Sequence, residues 1–576
     1  MKKISIILAA ALAIAACTPE SSDDSSSASE LTIDFTMDKE TAFVGESVKF
    51  TATVSGGVSP YTYEWSFDDD ITSTEAEPEI VWQTVGVKVI SLNIIDSKGN
   101  TAAKPKSKTF AVTAAPVEDS GDISIAWFVD FADDGGGVRG SVPAVDDEGN
   151  VYIATSAEDA GQLRKVAADG KTYTSVAINA APKNTCMSPA IDAEGNIYVG
   201  GGSGSGGSVH KYSSALSDLW SAEFWNKGKA AKPKMWYGAP VVLEDAVLLS
   251  NAGSTGTMGA VSRADGLRIS YLASPEGGGP NGGCRQSPVV SNDGYVWQVC
   301  AANGVVGTTL SKLQSPGPVV YDFFAKTVTN ADGTAILADM TSGSDRPASA
   351  VVAVGGKNYC AGLSTPEGSN PRIYLLGKGD GNGTGNCAVE AKQFVIDETN
   401  TSVANGTSQD QGAIIVGANG EVITNLKAGA VEDGGLVAVD PETMTLAWEY
   451  RIAESVSCAP ALTKEGNIVF GTDEGSFYIV KPNLMTKKAE LIAKADIVDL
   501  IKEAGMTFSE GFENPNIKMW SGVCLGDDGK IYVGFQKVDE STRSGLLCLS
   551  SSAVTGPGQS CWPMFGVNRK HTGVQK

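Results

Sequence analysis

Residues 188 to 200 read SPAIDAEGNIYVG, and relatives of this stretch recur from about residue 140 to the end of the 576-residue chain. The unit has the pattern of a hairpin. An apolar run from Pro189 to Ile191 leads into an acidic turn closed by Gly195 and Asn196, and Ile197 to Val199 then alternate as a half-buried strand does. Aligned on the residue that starts the apolar run, copies begin near Pro143, Pro189, Pro240, Pro288, Ala350, Ala413, Pro460 and Cys524. A unit this small cannot bury its own apolar face. Its neighbours must do so, and that requirement dictates a repeat architecture.

The steps between copies, about 45 to 65 residues, suit one four-stranded blade with loops of variable length. Each copy is followed by a Gly-rich step and a further strand, as in Gly161 to Val166 and Gly435 to Asp440, so two hairpins fill one blade. The 67 glycines, the regular short strands and the scarcity of helix-length amphipathic patterns make the chain all-β. The expected fold over residues 123–576 is an eight-bladed β-propeller. Seven blades is the fallback, because the fifth and sixth repeats are the least regular. This region resembles the PQQ-like family of β-propellers, on three signals: the hairpin unit, the segment Ala438-Val439-Asp440-Pro441-Glu442-Thr443 leading to Leu446-Ala447-Trp448, and the ending Trp562-Pro563-Met564-Phe565-Gly566 with His571-Thr572-Gly573. The resemblance implies that Trp127 to Phe131 share a blade with the C-terminal strands.

Ahead of the repeats, residues 1–17 have the pattern of a lipoprotein signal peptide. Lys2 and Lys3 precede an apolar run, and Ile14-Ala15-Ala16-Cys17 resembles a bacterial lipobox, which implies Cys17 as the lipidated residue. Residues 18–30 are a polar tether with almost nothing to bury, and Ser22-Asp23-Asp24 resembles the acidic surface-export signals of Bacteroidota lipoproteins. Residues 31–115 alternate apolar and polar in short runs, the pattern of an immunoglobulin-like sandwich. Their stretch Tyr63-Glu64-Trp65-Ser66-Phe67-Asp68-Asp69-Asp70 resembles the signature of a PKD domain, with Asp68 and Asp70 where that signature has Gly. Trp65 is expected to plug the core of the sandwich. Residues 116–122 form a linker.

The net charge of −23 and the absence of a basic face argue against nucleic acid as a partner. Of ten Cys, nine remain after Cys17, an odd number. Cys548 with Cys561, Cys284 with Cys300, and Cys360 with Cys387 are close enough in sequence to staple neighbouring strands. With no CxxC pair and two His, a zinc site is not expected. A PQQ-dependent dehydrogenase is not expected either. The resemblance would demand a vicinal Cys-Cys pair and a repeated Trp-docking motif; the chain has no such pair, and Val261 to Gly266 ends without a Trp. The acidic turns read as hairpin chemistry, whose Gly supplies a positive φ, and the loop from Asp380 to Asn386 has Ala391 where a calcium loop has Glu. No cofactor and no catalytic residues are assigned.

Binding remains. In a propeller the residues just before each inner strand gather at one mouth. On the aligned repeats this places Trp236, Tyr237 and Trp520 with Arg139, Arg285 and Arg346 in one funnel, where flat aromatic faces beside planar hydrogen-bonding groups suit a sugar ring. The reading that follows is a non-catalytic lipoprotein of the outer membrane, facing the cell surface or alternatively the periplasm, held by its lipid alone, monomeric or part of an envelope complex, with a glycan as ligand. The alternatives are a protein-binding scaffold resembling the outer-membrane assembly lipoprotein that shares this propeller, and then a polysaccharide-degrading enzyme.

Overall fold

The computed structural model describes residues 31–113 and 123–575, apart from residues 44, 69–70, 83–85, 132–135, 139, 157–160, 179–187, 204–205, 223, 227–228, 232–237, 251–257, 274–286, 301–303, 326, 330–334, 338–345, 348–350, 365–369, 377–385, 388–391, 396–412, 429–432, 510–515 and 538–542. The chain divides into two compact units, Met1–Pro116 and Val117–Lys576. The signal segment with Cys17, the tether and the linker lie outside the described residues.

The first unit packs a three-stranded sheet (Thr32–Met37, Ser47–Ser55, Glu79–Val81) with a five-stranded one built on Gly86–Ile95 and Lys106–Thr113. Alternation along Ser47–Ser55 and Gly86–Ile95 puts Val48, Phe50, Ile90, Leu92 and Ile94 into a core with Phe35, Trp65, Phe67, Trp82 and Phe110. Trp65 plugs that core as expected, and its one polar group is satisfied: Nε1 donates to the Glu75 carbonyl at 2.8 Å. Asp68, standing where the PKD signature has Gly, holds a left-handed φ of 57°. Its carboxylate accepts from the Val89 amide at 2.7 Å, so the side chain is used for the turn.

In the second unit most of the described strands group into eight antiparallel meanders, and Phe224–Asn226 with Lys229–Ala231, and Thr327–Thr329 with Ala335–Leu337 and Asn386–Cys387, form two further small sheets. Blade 1 runs Ala144–Val145, Val151–Thr155, Gly161–Val166 and Tyr173–Ile178; blade 2 runs Ala190–Ile191, Ile197–Ser203, Gly206–Tyr212 and Asp218–Ser221. Blades 3 to 7 repeat the order from inner strands Val241–Val242, Val289–Val290, Val352–Val354, Ile414–Val416 and Ala461–Leu462. Blade 8 takes Cys524–Leu525, Ile531–Lys537 and Ser544–Ser550 from the end of the chain, and its outermost strand, Ser124–Asp130, from the beginning, with Trp127 opposite Cys548. The first and last strands of the second unit therefore share a blade, which closes the β-propeller.

The recurrent acidic turn is explained by its own hydrogen bonds. In blade 1 Asp146 Oδ1 accepts from the amides of Glu148 and Asn150 at 3.0 and 2.8 Å, while Oδ2 accepts from Asn150 Nδ2 and the Tyr152 hydroxyl. Asp192 does the same in blade 2 with Glu194, Asn196 and Tyr198. Burial works to raise the Asp192 carboxyl, but the bonds from Asn196 and Tyr198 prevail and hold it below the usual carboxylate range. Gly149 and Gly195 turn the chain at φ 82° and 81°. Blade 6 exchanges the roles: Gly417 stands at the Asp position and Glu421 at the Asn position, and the Glu421 carboxylate swings back to accept from the Asn419 amide at 2.9 Å and from Trp448 Nε1 at 3.2 Å. A Cβ on Gly417 would lie 2.3 Å from Glu421 Cδ, so this turn has room for a single carboxylate.

Blades are also joined by tryptophans whose partners sit one repeat further on. Trp127 donates to the Ala168 carbonyl and covers Gly170 of blade 1; Trp220 donates to the Arg263 carbonyl and covers Gly266 of blade 3. Val261 to Gly266 has no Trp of its own, as expected, yet Gly266 is covered by an indole. The indole comes from the preceding blade, because an outer strand packs against its neighbour's turn and not its own.

Two pairings of the cysteine reading are corrected as well. Cys360, Cys458, Cys524 and Cys548 are buried free thiols and Cys561 is a partly buried one. Cys548 lies in blade 8 opposite Trp127, whereas Cys561 reaches the Ala353 carbonyl of blade 5, so thirteen residues of chain separate different sectors of the propeller. Cys360 sits on the second strand of blade 5 opposite Tyr374. Cys284 lies outside the described residues, and with it the pair that it would form with Cys300.

Beyond blade 8 the chain turns inward. The last residue of an inner strand donates its amide to this closing segment in blade after blade: Val145 to Arg569 O at 2.7 Å, Ile191 to Lys570 O at 2.9 Å, Val290 to Gly573 O at 3.0 Å, Val416 to Trp562 O at 2.8 Å and Leu462 to Pro563 O at 2.7 Å. The motif Trp562 to Gly573 is thus a segment spanning the hairpin-turn side of the propeller, and the strand pairing that closes the last blade is made elsewhere, by Ser124–Asp130.

Candidate ligand-binding rim

At the opposite end of the inner strands, small side chains bring the blades together. Ser188 Oγ of blade 2 accepts from the Val142 amide of blade 1 at 3.0 Å, and Ser287 Oγ of blade 4 accepts from Ala239 of blade 3 at 2.8 Å. A Cβ on Gly522 would lie 2.8 Å from both Ala459 and Val142, so only hydrogen fits there. This constriction raises the lead-in segments and the turns between second and third strands into a rim.

The described part of that rim belongs to blades 6, 7, 8 and 1. The turn Thr472-Asp473-Glu474-Gly475 leaves the second strand of blade 7, and the Met519 amide donates to Thr472 O at 3.0 Å, which ties the lead-in to blade 8 to the base of this turn. The Gly140 amide in turn donates to Trp520 O at 3.1 Å. Glu454, in the lead-in to blade 7, accepts from Thr472 Oγ1, the Tyr478 hydroxyl and Lys494 Nζ, each at 2.7 Å. Asp473 Oδ2 accepts from Ser457 Oγ at 2.9 Å and Lys427 Nζ at 3.3 Å, and Glu474 accepts from the Ser455 amide at 3.0 Å.

These carboxylates differ in their proton affinity. Burial tends to raise Glu454, but the bonds from Lys494, Tyr478 and Thr472 overcome it and its carboxyl lies below the ordinary value. Glu474 lacks a cation of that kind. Burial, then repulsion by Asp473 and Glu454, push it up to about 7. The rim therefore offers one carboxylate committed to an ion pair, a second shared between a serine and a lysine, and a third that holds a proton near neutral pH. Such a set can donate to and accept from a polyol or an amide. It has no converging oxygen cage, and among the described residues no group of three or more His, Cys, Asp or Glu is placed to hold a metal ion.

Of the residues expected in the funnel, Trp520 is placed at this rim, partly buried, with Lys518 Nζ 3.8 Å from its ring centroid. One indole face is taken by that ammonium, so stacking on a ligand is left to the other. The backbone of Arg346 lies in the strand Arg346–Pro347, where Arg346 pairs with Leu363 at the rim end of the second strand of blade 5. Ile517–Lys518 occupies the corresponding place in blade 8, paired with Lys537 and Gln536. Arg139, Trp236, Tyr237 and Arg285 lie outside the described residues, as does most of the glycine-rich loop that begins at Asp380. The sequence reading missed Lys427, Glu454, Asp473 and Glu474, because it searched the lead-ins at one aligned position and not the turns that face them. The available signal was the acidic turn Asp473-Glu474-Gly475 at the end of a second strand, a kind of pair that also stands after the second strand at Glu158-Asp159, Glu432-Asp433 and Asp539-Glu540.

A separate cleft of about 290 Å³ lies between turns of blades 5, 6 and 7, lined among others by Tyr359, Glu421, Asp440 and Leu484. Its polar groups serve the fold: Tyr359 donates to the Pro441 carbonyl at 2.6 Å, and Glu421 holds its own turn.

Residues 32–114 match the PKD domain family. No curated protein matches the chain. Among solved structures, BamB from Moraxella catarrhalis is 10% identical over 74% of this chain and 100% of its own, with a TM-score of 0.43. A quinohemoprotein alcohol dehydrogenase from Comamonas testosteroni is 11% identical over 77% and 79%, with a TM-score of 0.47. A quinonprotein alcohol dehydrogenase-like protein from Bacteroides thetaiotaomicron is 12% identical over 91% and 96%, with a TM-score of 0.30. The class is an all-β chain with an N-terminal PKD domain followed by a β-propeller, and the propeller rests on the strand order described above.

Proposed function

We propose that this protein is a non-catalytic binding module of the bacterial cell envelope, anchored by a lipid on Cys17, whose propeller rim takes a glycan. The observation that carries the reading is a partly exposed indole, Trp520, in a lead-in whose Met519 amide bonds Thr472 O, at the base of the turn that carries Asp473 and Glu474. An aromatic face covers the apolar side of a sugar ring while carboxylates and hydroxyls meet its edge. In this reading Trp236, Tyr237, Arg139, Arg285 and Arg346 complete the funnel from the remaining blades. Export and surface display follow from the lipobox and the acidic tether.

A glycan array and affinity gels run on residues 18–576 test the proposal. Binding is expected to fall about tenfold or more in Trp520→Ala and in Asp473→Asn combined with Glu474→Gln, the size of effect that loss of a buried aromatic contact or a charged hydrogen bond produces. Full binding by both variants sinks it. A protein-binding scaffold is the second reading, favoured by the valines Val81, Val87 and Val89, which stand 40%, 57% and 49% exposed on the PKD unit.

A further inference from the structure

The closing segment touches every blade. Besides the five amide bonds to blades 1, 2, 4, 6 and 7, Gln575 Oε1 accepts from the Ala353 amide of blade 5 at 2.9 Å, Gly573 packs so tightly on Val241 of blade 3 that a Cβ would lie 2.5 Å from it, and the Cys524 thiol of blade 8 faces Arg569 O at 3.9 Å. Met564, His571 and Gln575 are almost fully buried beneath this circuit. On blades 1 and 8 it adds ionic bonds, and Arg569 Nη1 donates to the Val145 carbonyl at 2.8 Å. Arg569 Nε bonds Asp527 at 2.8 Å and Nη2 bonds Asp147 at 2.7 Å, while Lys570 Nζ bonds the other Asp147 oxygen at 2.6 Å. Asp147 and Asp527 belong to the repeated acidic turns, but in blade 1 the turn's own bonds are made by Asp146, which leaves Asp147 for the segment.

We propose that residues 556–575 act as a latch that seals the hairpin-turn mouth of the propeller, with the Arg569–Lys570 clasp on Asp147 and Asp527 as its releasable end. The propeller then has one open mouth, the rim that carries Trp520, and any ligand enters there. The clasp is placed for release. Its carboxylates are 64% and 70% exposed, so salt weakens them, whereas the cationic side chains are 17% and 19% exposed and lose little by staying in place. Burial holds the Arg569 guanidinium back, but its bonds to Asp147 and Asp527 outweigh that and keep it firmly charged.

The chain carries its own reporters. Cys524 lies directly under Arg569 O, and Cys360 is buried in blade 5 on a strand the segment does not bond. Alkylation of the whole chain by N-ethylmaleimide, followed by mass mapping of the labelled peptides, compares the two thiols. In Arg569→Ala combined with Lys570→Ala, Cys524 is expected to react about tenfold faster or more while Cys360 keeps its rate, as local opening requires. Raising NaCl from about 0.05 to about 1 M on the unaltered chain should give the same selective rise, since the screening length falls from above 10 Å to about 3 Å. Unchanged Cys524 labelling in both experiments overturns the latch, and so does a rise shared equally by Cys360, which reports general loosening. The consequence for ligand entry depends on the rim binding a ligand, whereas the thiol experiment involves none. Loss of the glycan reading and loss of the latch are therefore told apart.

Discussion

Single residues show how a repeat tolerates drift. Asp146 and Asp192 organise their turns from the first position, and blade 6 reaches the same bonding from the fifth with Glu421. Only one of the two positions can carry the acid. Gly417→Asp should therefore lower stability by about 1–3 kcal/mol, the usual cost of overpacking a filled site, because its Cβ meets Glu421. Adding Glu421→Asn restores the blade 1 arrangement and should recover most of the loss in urea titrations. A double variant no more stable than Gly417→Asp would show that the exchange of roles is not what the turn depends on. The carboxylates of the rim escaped the sequence reading for a related reason. Glu474 is unremarkable in the chain, and its proton affinity arises from Asp473 and Glu454 brought alongside it in blade 7.

Among the elements, the closing segment couples pH to stability. His571 is buried under it, with Nδ1 on the Pro189 carbonyl at 2.6 Å and its ring edge-on to Phe565. Burial lowers its pKa to about 4, against an ordinary value of 6.5. Between those values the unfolded chain takes up a proton that the folded chain refuses, so unfolding gains with each step of acidification. The stability is present in full above about pH 6.5, is lost as pH falls to about 4 and changes no further below that on account of this group. The two and a half units correspond to about 3 kcal/mol. Chemical denaturation at a series of pH values should show this loss, and His571→Gln, which can still donate to Pro189, should flatten it. An unaltered pH profile in the variant would assign the loss to other groups. The Trp-Pro ending was recognisable in the sequence as a closing signal, but its path across the inner strands was not, because those bonds use backbone amides that carry no residue signature.

At the scale of the molecule the chain consists of two units with separate cores. The aromatic cluster of Phe35, Phe50, Trp65, Phe67, Trp82 and Phe110 belongs wholly to residues 31–116. That fragment alone is expected to unfold in one cooperative transition, followed by the fluorescence of Trp65 and Trp82 as they reach water; a gradual, featureless change would show that the sandwich does not stand by itself. The sequence determined the class of each unit. Hairpin periodicity, glycine-bearing turns and alternating burial are local properties, and they survive divergence because every blade needs the same turn and the same strand pattern. The tertiary structure alone decided which side chains meet across blades: Trp127 on Gly170 and Trp220 on Gly266, the free state of Cys548 and Cys561, Lys427 on Asp473, and the clasp of Arg569 on Asp147 and Asp527. These contacts join residues dozens to hundreds of positions apart. Each depends on the closing of the propeller, in which the strand Ser124–Asp130 comes to lie beside Ser544–Ser550.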